Sequence, residues 1–315
     1  MSRPNTTASE CLFVLAALPS CILSISLSDM STKLLVADCG QAPYGLAVDA
    51  ELRRILWVSK APSRSGRFIE CVDIDGSNRV TTRHQGAAFT LPTQLAVDIE
   101  SEHLYWSDRD GSQVVRSRFD GNDATVLFRT NAMDEQPAGQ RRRCVGVALS
   151  RTENHIYWIQ KERSARGIGR IVRAELEPPA AANAGSRSDP EVVLSDLPEP
   201  LCLTWDGVNG FIYWTDRGRW PSENTLNRAR YVGGRFVDLE ILLGGLREGT
   251  LIALDVCHGR AFLSDPSGSV RVMDVDRPGE SRVIFSGSNP LSGIAYVSPL
   301  KGSNPQSDLQ RSHLY

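Results

Sequence analysis

Three long polar insertions carry the side chains best suited to chemistry. They are "RTNAMDEQPAGQRRR" (129–143), "QKERSARGIG" (160–169) and "DRGRWPSEN" (216–224). Lys161, Arg163 and Arg219 supply cations there, Arg143 ends the first insertion, and Arg247 lies on a later loop. Cationic donors held on loops bind an anionic oxygen or stabilise charge developing on a carbonyl. Trp220, beside Pro221, offers an apolar cover, and Tyr44 and Gln94 begin short apolar strands. Lys161, Arg163 and Arg219 are therefore the candidate catalytic donors. Tyr44, Gln94, Arg143, Trp220 and Arg247 are the candidate substrate contacts.

Other chemistries find no support. There is no HExxH, GxSxG, Walker loop or dinucleotide-binding glycine motif, and "GIGR" (167–170) reads as a turn. The five histidines show no ligand spacing, and the seven cysteines never form a CxxC pair. Most cysteines sit in apolar runs, as Cys202 does in "LCLTWD", and read as buried thiols of a reducing compartment. No cofactor and no metal is expected.

The elements that must position these residues follow from a repeat. "HLYWSD" (103–108), "HIYWIQ" (155–160) and "FIYWTD" (211–216) are related, with weaker copies "RILWVS" (54–59) and "RAFLSD" (260–265). A short apolar strand precedes each, such as "YGLAVD" (44–49), and an alternating strand and a fourth apolar run follow. Four short strands recurring every ~45–55 residues predict propeller blades. Residues 11–38 supply the last three strands of one more blade, and "SGIAYV" (292–297) supplies its first. The prediction is an all-β, six-bladed propeller over 11–297, closed by strands from both ends, with disordered tails at 1–10 and 298–315. The apolar stretch "CLFVLAALPSCILSISLSD" is then blade core and not a signal peptide.

A net charge of −2 and 23% charged residues give no reason to expect nucleic acid or an anionic membrane as partner. No apolar run is long enough to span a bilayer as a helix. A cytoplasmic location is expected, and the oligomeric state stays open.

The recurring Tyr-Trp-Thr/Ser-Asp with its upstream Gly-Leu-Ala-Val-Asp resembles the YWTD propellers of the low-density lipoprotein receptor family. That resemblance implies that Tyr105, Trp106 and Asp108, and their counterparts Tyr157, Trp158, Tyr213, Trp214 and Asp216, hold adjacent blades together. The cysteine-rich modules of the receptors are missing, which argues against a receptor role. The stand-alone form also resembles gluconolactonase-like and strictosidine-synthase-like propellers. In architecture and size it is similar to fungal biosynthetic-cluster catalysts that join a tropolone quinone methide to a sesquiterpene by hetero-Diels–Alder reaction. This implies a cofactor-independent pericyclase acting on an apolar small molecule with a carbonyl or anionic oxygen. A binding or scaffold propeller for a protein partner and a lactonase-like, metal-dependent hydrolase are the alternatives. The Glu/Asn/Asn/Asp set that holds the gluconolactonase metal is not found at the strand starts.

In such a ring, loops joining strands two to three and four to one share one face. That face carries the basic residues, Arg109 and Arg217 among them, while Asp49, Asp98, Glu102, Asp120 and Asp206 fall on the other. The expectation is a basic mouth opposite an acidic, solvated face. Alanine at Lys161, Arg163 or Arg219 should then lower turnover and barely change stability.

Overall fold

The computed structural model describes residues 10–60, 67–82, 89–130, 142–162, 169–179, 187–217 and 224–298. These form six four-stranded antiparallel sheets. Blade 1 is built from both ends of the chain: β24 (Leu291–Val297), β1 (Cys11–Ala17), β2 (Ser20–Ser26) and β3 (Thr32–Val36). Blade 2 holds β4 (Gln41–Asp49), β5 (Arg54–Lys60), β6 (Arg67–Asp73) and β7 (Val80–Thr82). Blade 3 holds β8 (Pro92–Asp98), β9 (His103–Asp108), β10 (Gln113–Arg118) and β11 (Thr125–Arg129). Blade 4 holds β12 (Arg143–Ser150), β13 (His155–Lys161), β14 (Gly169–Glu175) and β15 (Glu191–Leu197). Blade 5 holds β16 (Pro200–Asp206), β17 (Phe211–Asp216), β18 (Thr225–Val232) and β19 (Arg235–Leu243). Blade 6 holds β20 (Leu251–Asp255), β21 (Arg260–Ser264), β22 (Ser269–Asp274) and β23 (Arg282–Ser286).

The ring closes as the repeat predicts. Cys11 pairs with Val297, Phe13 with Ala295 and Leu15 with Gly293 across β1 and β24. Glu10, assigned from the sequence to the N-terminal tail, already belongs to this closure. Its carbonyl accepts from Leu27 N–H at 2.9 Å, and its carboxylate meets Arg260 at 2.7 Å. The remaining tail residues, 1–9 and 299–315, lie outside the described residues.

The core is six separate layers, one per seam between blades. Strand alternation sends neighbouring side chains of each second strand to opposite faces. In every seam the Tyr-position residue of one blade therefore meets the Trp-position residue of the next. The pairs are Leu56 with Trp106, Tyr105 with Trp158, Tyr157 with Trp214, Tyr213 with Leu263, Phe262 with Val14, and Phe13 with Trp57. All these side chains are buried. The repeat's Asp caps loops: Asp108 accepts from the N–H groups of Thr90, Leu91 and Gly111 at 2.8–3.1 Å.

First strands crowd at the axis. A Cβ added at Gly293 would lie 2.6 Å from Leu46 Cβ and 3.0 Å from Leu15 Cβ, so glycine is needed for blades 1 and 2 to approach.

The expected acidic face is largely consumed by structure. Asp49, Asp98 and Asp206 are buried and cap the hairpin between first and second strands of their blades. Glu102, further along, pairs with Arg118 at 3.1 Å. A carboxylate in this position satisfies turn N–H groups that would otherwise go unbonded, which the sign of the charge alone does not reveal.

Candidate functional site

A funnel of about 520 Å³ opens at the end of the central channel. Its wall comes from first-strand starts and from the two loop classes that the topology sends to one face. Tyr44, Gln94, Arg143 and Lys161 line it, with Arg109, Glu162, Glu199, Arg217 and Glu248 on the same wall. Val145, Leu201, Cys202 and Leu251 supply its apolar surface. Four of the eight residues proposed from sequence are thus brought together. Arg163, Arg219 and Trp220 lie outside the described residues. Arg247 is exposed and lines a crevice of about 10 Å³ that shares Leu201, Arg217 and Gly249 with the funnel wall. Its carbonyl accepts from the Thr250 hydroxyl at 2.7 Å.

In five of the six blades the first strand is irregular near its start, β20 of blade 6 being the regular one. The β4–β5 register shifts twice, at Gln41/Tyr44 and at Tyr44/Leu46, and Gly45 adopts φ 62°. Bulges of this kind re-aim side chains. Tyr44 remains about a third exposed, yet burial in the funnel pushes its phenol up, with Arg109 opposing that rise.

Gln94 reaches across the channel to blade 5. Its Nε2 donates to the Leu203 carbonyl at 2.5 Å, and its Oε1 accepts from the Leu203 N–H at 3.0 Å. It is a brace that floors the funnel, so much of its hydrogen-bonding capacity is already used.

The charged wall is a network, not a ring of open cations. Lys161 Nζ donates to Glu199 Oε1 at 3.0 Å, and Arg217 holds both Glu199 oxygens at 2.8 and 3.0 Å. Arg217 also meets Glu248, and Arg143 lies 3.8 Å from Asp110. Burial lowers the Lys161 ammonium from its ordinary value, and the Glu199 hydrogen bond only partly restores it. Burial alone would raise Glu199, but Arg217 and Lys161 outweigh it and hold the carboxyl below its ordinary value. The purely basic mouth is therefore corrected to mixed charge. Lys161 is also buried, at 8% exposure, so the stability-neutral substitution expected for a solvated loop lysine does not apply. Glu199 was missed by sorting residues by charge, although its place in a fourth-to-first loop puts it on this face.

Burial pushes the Cys202 thiol up to about 11, so it lines the funnel as a neutral group. The funnel does not fit a metal: its central carboxylate, Glu199, is committed to two cations. Among the described residues, one group of three acidic or histidine side chains gathers its ligand atoms, Glu10, Asp255 and His258 at the ring closure. Arg260 already bonds to Asp255 and Glu10 there.

Fold and motif together define a six-bladed propeller of YWTD type. No protein-family model matches the chain. It is 34% identical over 288 residues to the low-density lipoprotein receptor-related protein 1 of Pyricularia oryzae, covering 86% of this chain and 89% of that one. The chain belongs to this low-density lipoprotein receptor-related propeller family. It is 29% identical over 267 residues to the 3-hydroxyacyl-CoA dehydrogenase-like protein LAM1 of Cochliobolus heterostrophus, covering 80% of this chain and 56% of that longer relative. Among solved structures, a chain of the nidogen/laminin complex superposes with a TM-score of 0.68 at 17% identity, covering 92% and 98% of the two chains. A gluconolactonase from Xanthomonas campestris gives 0.57 at 18% identity, covering 92% and 91%. These two likenesses show the fold alone.

Proposed function

We propose that the funnel is a small-molecule site and that the chain works there as a cofactor-independent enzyme. The observation that carries this reading is a cavity floored by Gln94 whose wall combines apolar surface with a buried ammonium, Lys161, held by Glu199. A flat rim would suit a protein partner better, and among the described residues the funnel's carboxylates do not bring three ligand atoms together as a metal hydrolase would need. The described cysteines are all free thiols, which suits a cytoplasmic setting.

The reaction class we assign is intermolecular hetero-Diels–Alder ligation of a quinone-methide heterodiene to a terpene alkene. Two σ bonds form, no atom leaves and no electron is exchanged, so no nucleophile or redox group is required. Holding both partners in a reactive pose contributes up to ~7–11 kcal/mol in well-aligned systems. A donor such as Lys161 on the heterodiene oxygen adds ~3 kcal/mol in a water-poor site. In this reading Arg143 and Arg109, on the same wall, share that oxygen, and Tyr44, Leu201 and Leu251 contact apolar carbon.

The test is to generate a quinone methide with a sesquiterpene alkene present, with and without the protein. Stereoselective adduct formed well above the uncatalysed rate, and lost in Lys161→Met, supports the reading. An unchanged rate and racemic adduct sink it. Saturable binding of a protein ligand that Lys161→Met abolishes would move the site to the scaffold reading.

A further inference from the structure

A second cavity, of about 690 Å³, lies on the other side of the ring in the seam between blades 2 and 3. Leu52, Leu56, Val80 and Phe119 give it apolar walls. Its polar lining is unbalanced, with Asp49, Asp73, Glu102 and Asp120 against Arg54 and Arg118. Asp73 accepts from Asn78, and Glu102 is paired with Arg118.

Asp49 is different. It is 1% exposed, its Oδ1 accepts from Leu52 N–H at 2.9 Å, and its Oδ2 has no partner. In blades 3 and 5 the carboxylate at the same place is met on both oxygens. Asp98 takes Arg151 Nε at 2.7 Å and the Ser101 hydroxyl, and Asp206 takes Asn209 on both oxygens. In blade 6, Asp255 holds Arg260 and His258 through Oδ2, and its Oδ1 has no partner. A buried carboxylate oxygen without a donor is costly, and the one on Asp49 borders an open cavity, so it marks a place where a donor belongs.

The repeat shows which donor is missing. Arg151, the guanidinium on Asp98, comes from the first hairpin of the following blade. The residue at the equivalent place in blade 3, directly after β8, is Ile99. The two hairpins match in detail: Glu102 N–H donates to Ile99 O at 3.2 Å, and Asn154 N–H donates to Arg151 O at 3.1 Å. Glu102 and Asn154 both have φ 54°. The seam of blades 2 and 3 thus keeps the acid and lacks the cross-seam arginine of the next seam; Arg54, opposite Asp49 in the β4–β5 register and on the cavity wall, leaves Oδ2 without a hydrogen bond.

We infer that this seam cavity binds a guanidinium- or ammonium-bearing ligand, whose cation meets Asp49 as Arg151 meets Asp98 and whose apolar part lies against Leu52, Val80 and Phe119. The cation belongs either to a small amine or guanidine or to an arginine side chain of a peptide. Burial pushes the Asp49 carboxyl up, and outweighs the opposing Leu52 and Glu51 N–H groups and the Arg54 guanidinium.

The experiment is titration calorimetry on the whole protein with two probes, phenethylguanidine and an arginine-containing hexapeptide with acetylated and amidated ends. Saturable binding of either probe at one site per chain is expected. Tighter binding of the first assigns a small-molecule source, and tighter binding of the second a peptide source. Asp49→Asn keeps the Leu52 bond and removes the charge, and should weaken binding by about tenfold or more. Ile99→Arg grafts the neighbouring seam's own cation, and should raise Tm while abolishing binding. Lys161→Met in the funnel should leave this binding intact. No saturable binding of either probe, or binding that survives Asp49→Asn unchanged, overturns the site. If Ile99→Arg fails to fold, Asp49→Asn alone decides.

Discussion

The side-chain amide of Gln94 forms a two-point pair with the backbone of Leu203, donating to its carbonyl at 2.5 Å and accepting from its N–H at 3.0 Å. Gln94 Oε1 also accepts from the Val147 N–H at 3.4 Å, so blade 3 is tied to blades 4 and 5 at the axis. Gln94→Ala leaves both Leu203 groups unpaired, which should lower stability by about 2 kcal/mol and Tm by about 3 °C in a chain of this size. Calorimetry checks this. An unchanged Tm would mean that water replaces the amide and that the funnel has no fixed floor.

Lys161→Met keeps the length of the stem and removes the charge from the Glu199 pair. Glu199 retains Arg217, so the expected loss is about 1–3 kcal/mol and not the larger cost of stranding a buried charge. Urea unfolding should show a lower midpoint with the slope preserved. A midpoint within error of the parent would show that the pair adds nothing to stability.

Asp216 gives a pH signature. Burial raises its carboxyl to about 6, only partly offset by the Glu199 N–H that it accepts. A carboxyl raised in the folded state stabilises fully below its unfolded value and loses that contribution as pH rises through 6. Glu199, lowered in the folded state, works in the opposite sense, its contribution being lost as pH falls below its ordinary value. Stability of the parent should therefore decline from about pH 4 to pH 6 by up to ~3 kcal/mol from Asp216. In Asp216→Asn that decline should vanish. Parallel curves for the two proteins would refute the assignment.

The blade count and the ring closure were legible because they rest on period and alternation. Each copy of the motif sends its Tyr-position residue to one neighbouring blade and its Trp-position residue to the other, and "SGIAYV" matches the first strand that residues 11–38 need. The face that carries the funnel was legible from topology, since loop classes alternate sides. Charge pairing was not. Lys161 meets Glu199 across a seam, from loops 38 residues apart, and no local pattern records that contact. Nor did the sequence distinguish Asp49 from Asp98, because what differs is the partner's residue, Ile99 or Arg151, one blade further on.

Gly293 tests the axis packing. It sits in β24 opposite Leu15, where the last strand of the chain meets the first and both press on blade 2. An alanine methyl there would come within 2.6 Å of Leu46 Cβ, an atom fixed to the backbone that no rotamer change can move. The strands must part, so Gly293→Ala should cost about 1–3 kcal/mol. The strain falls on the closure itself, and removing residues 1–30 should go further. That deletion strips β1 and β2 from blade 1 and uncovers the apolar faces of blades 6 and 2, including Phe262 and Trp57. Insoluble protein is the expected outcome, read by the soluble fraction after expression. A soluble, cooperatively melting chain of residues 31–315 would show that the ring closes without its N-terminal strands.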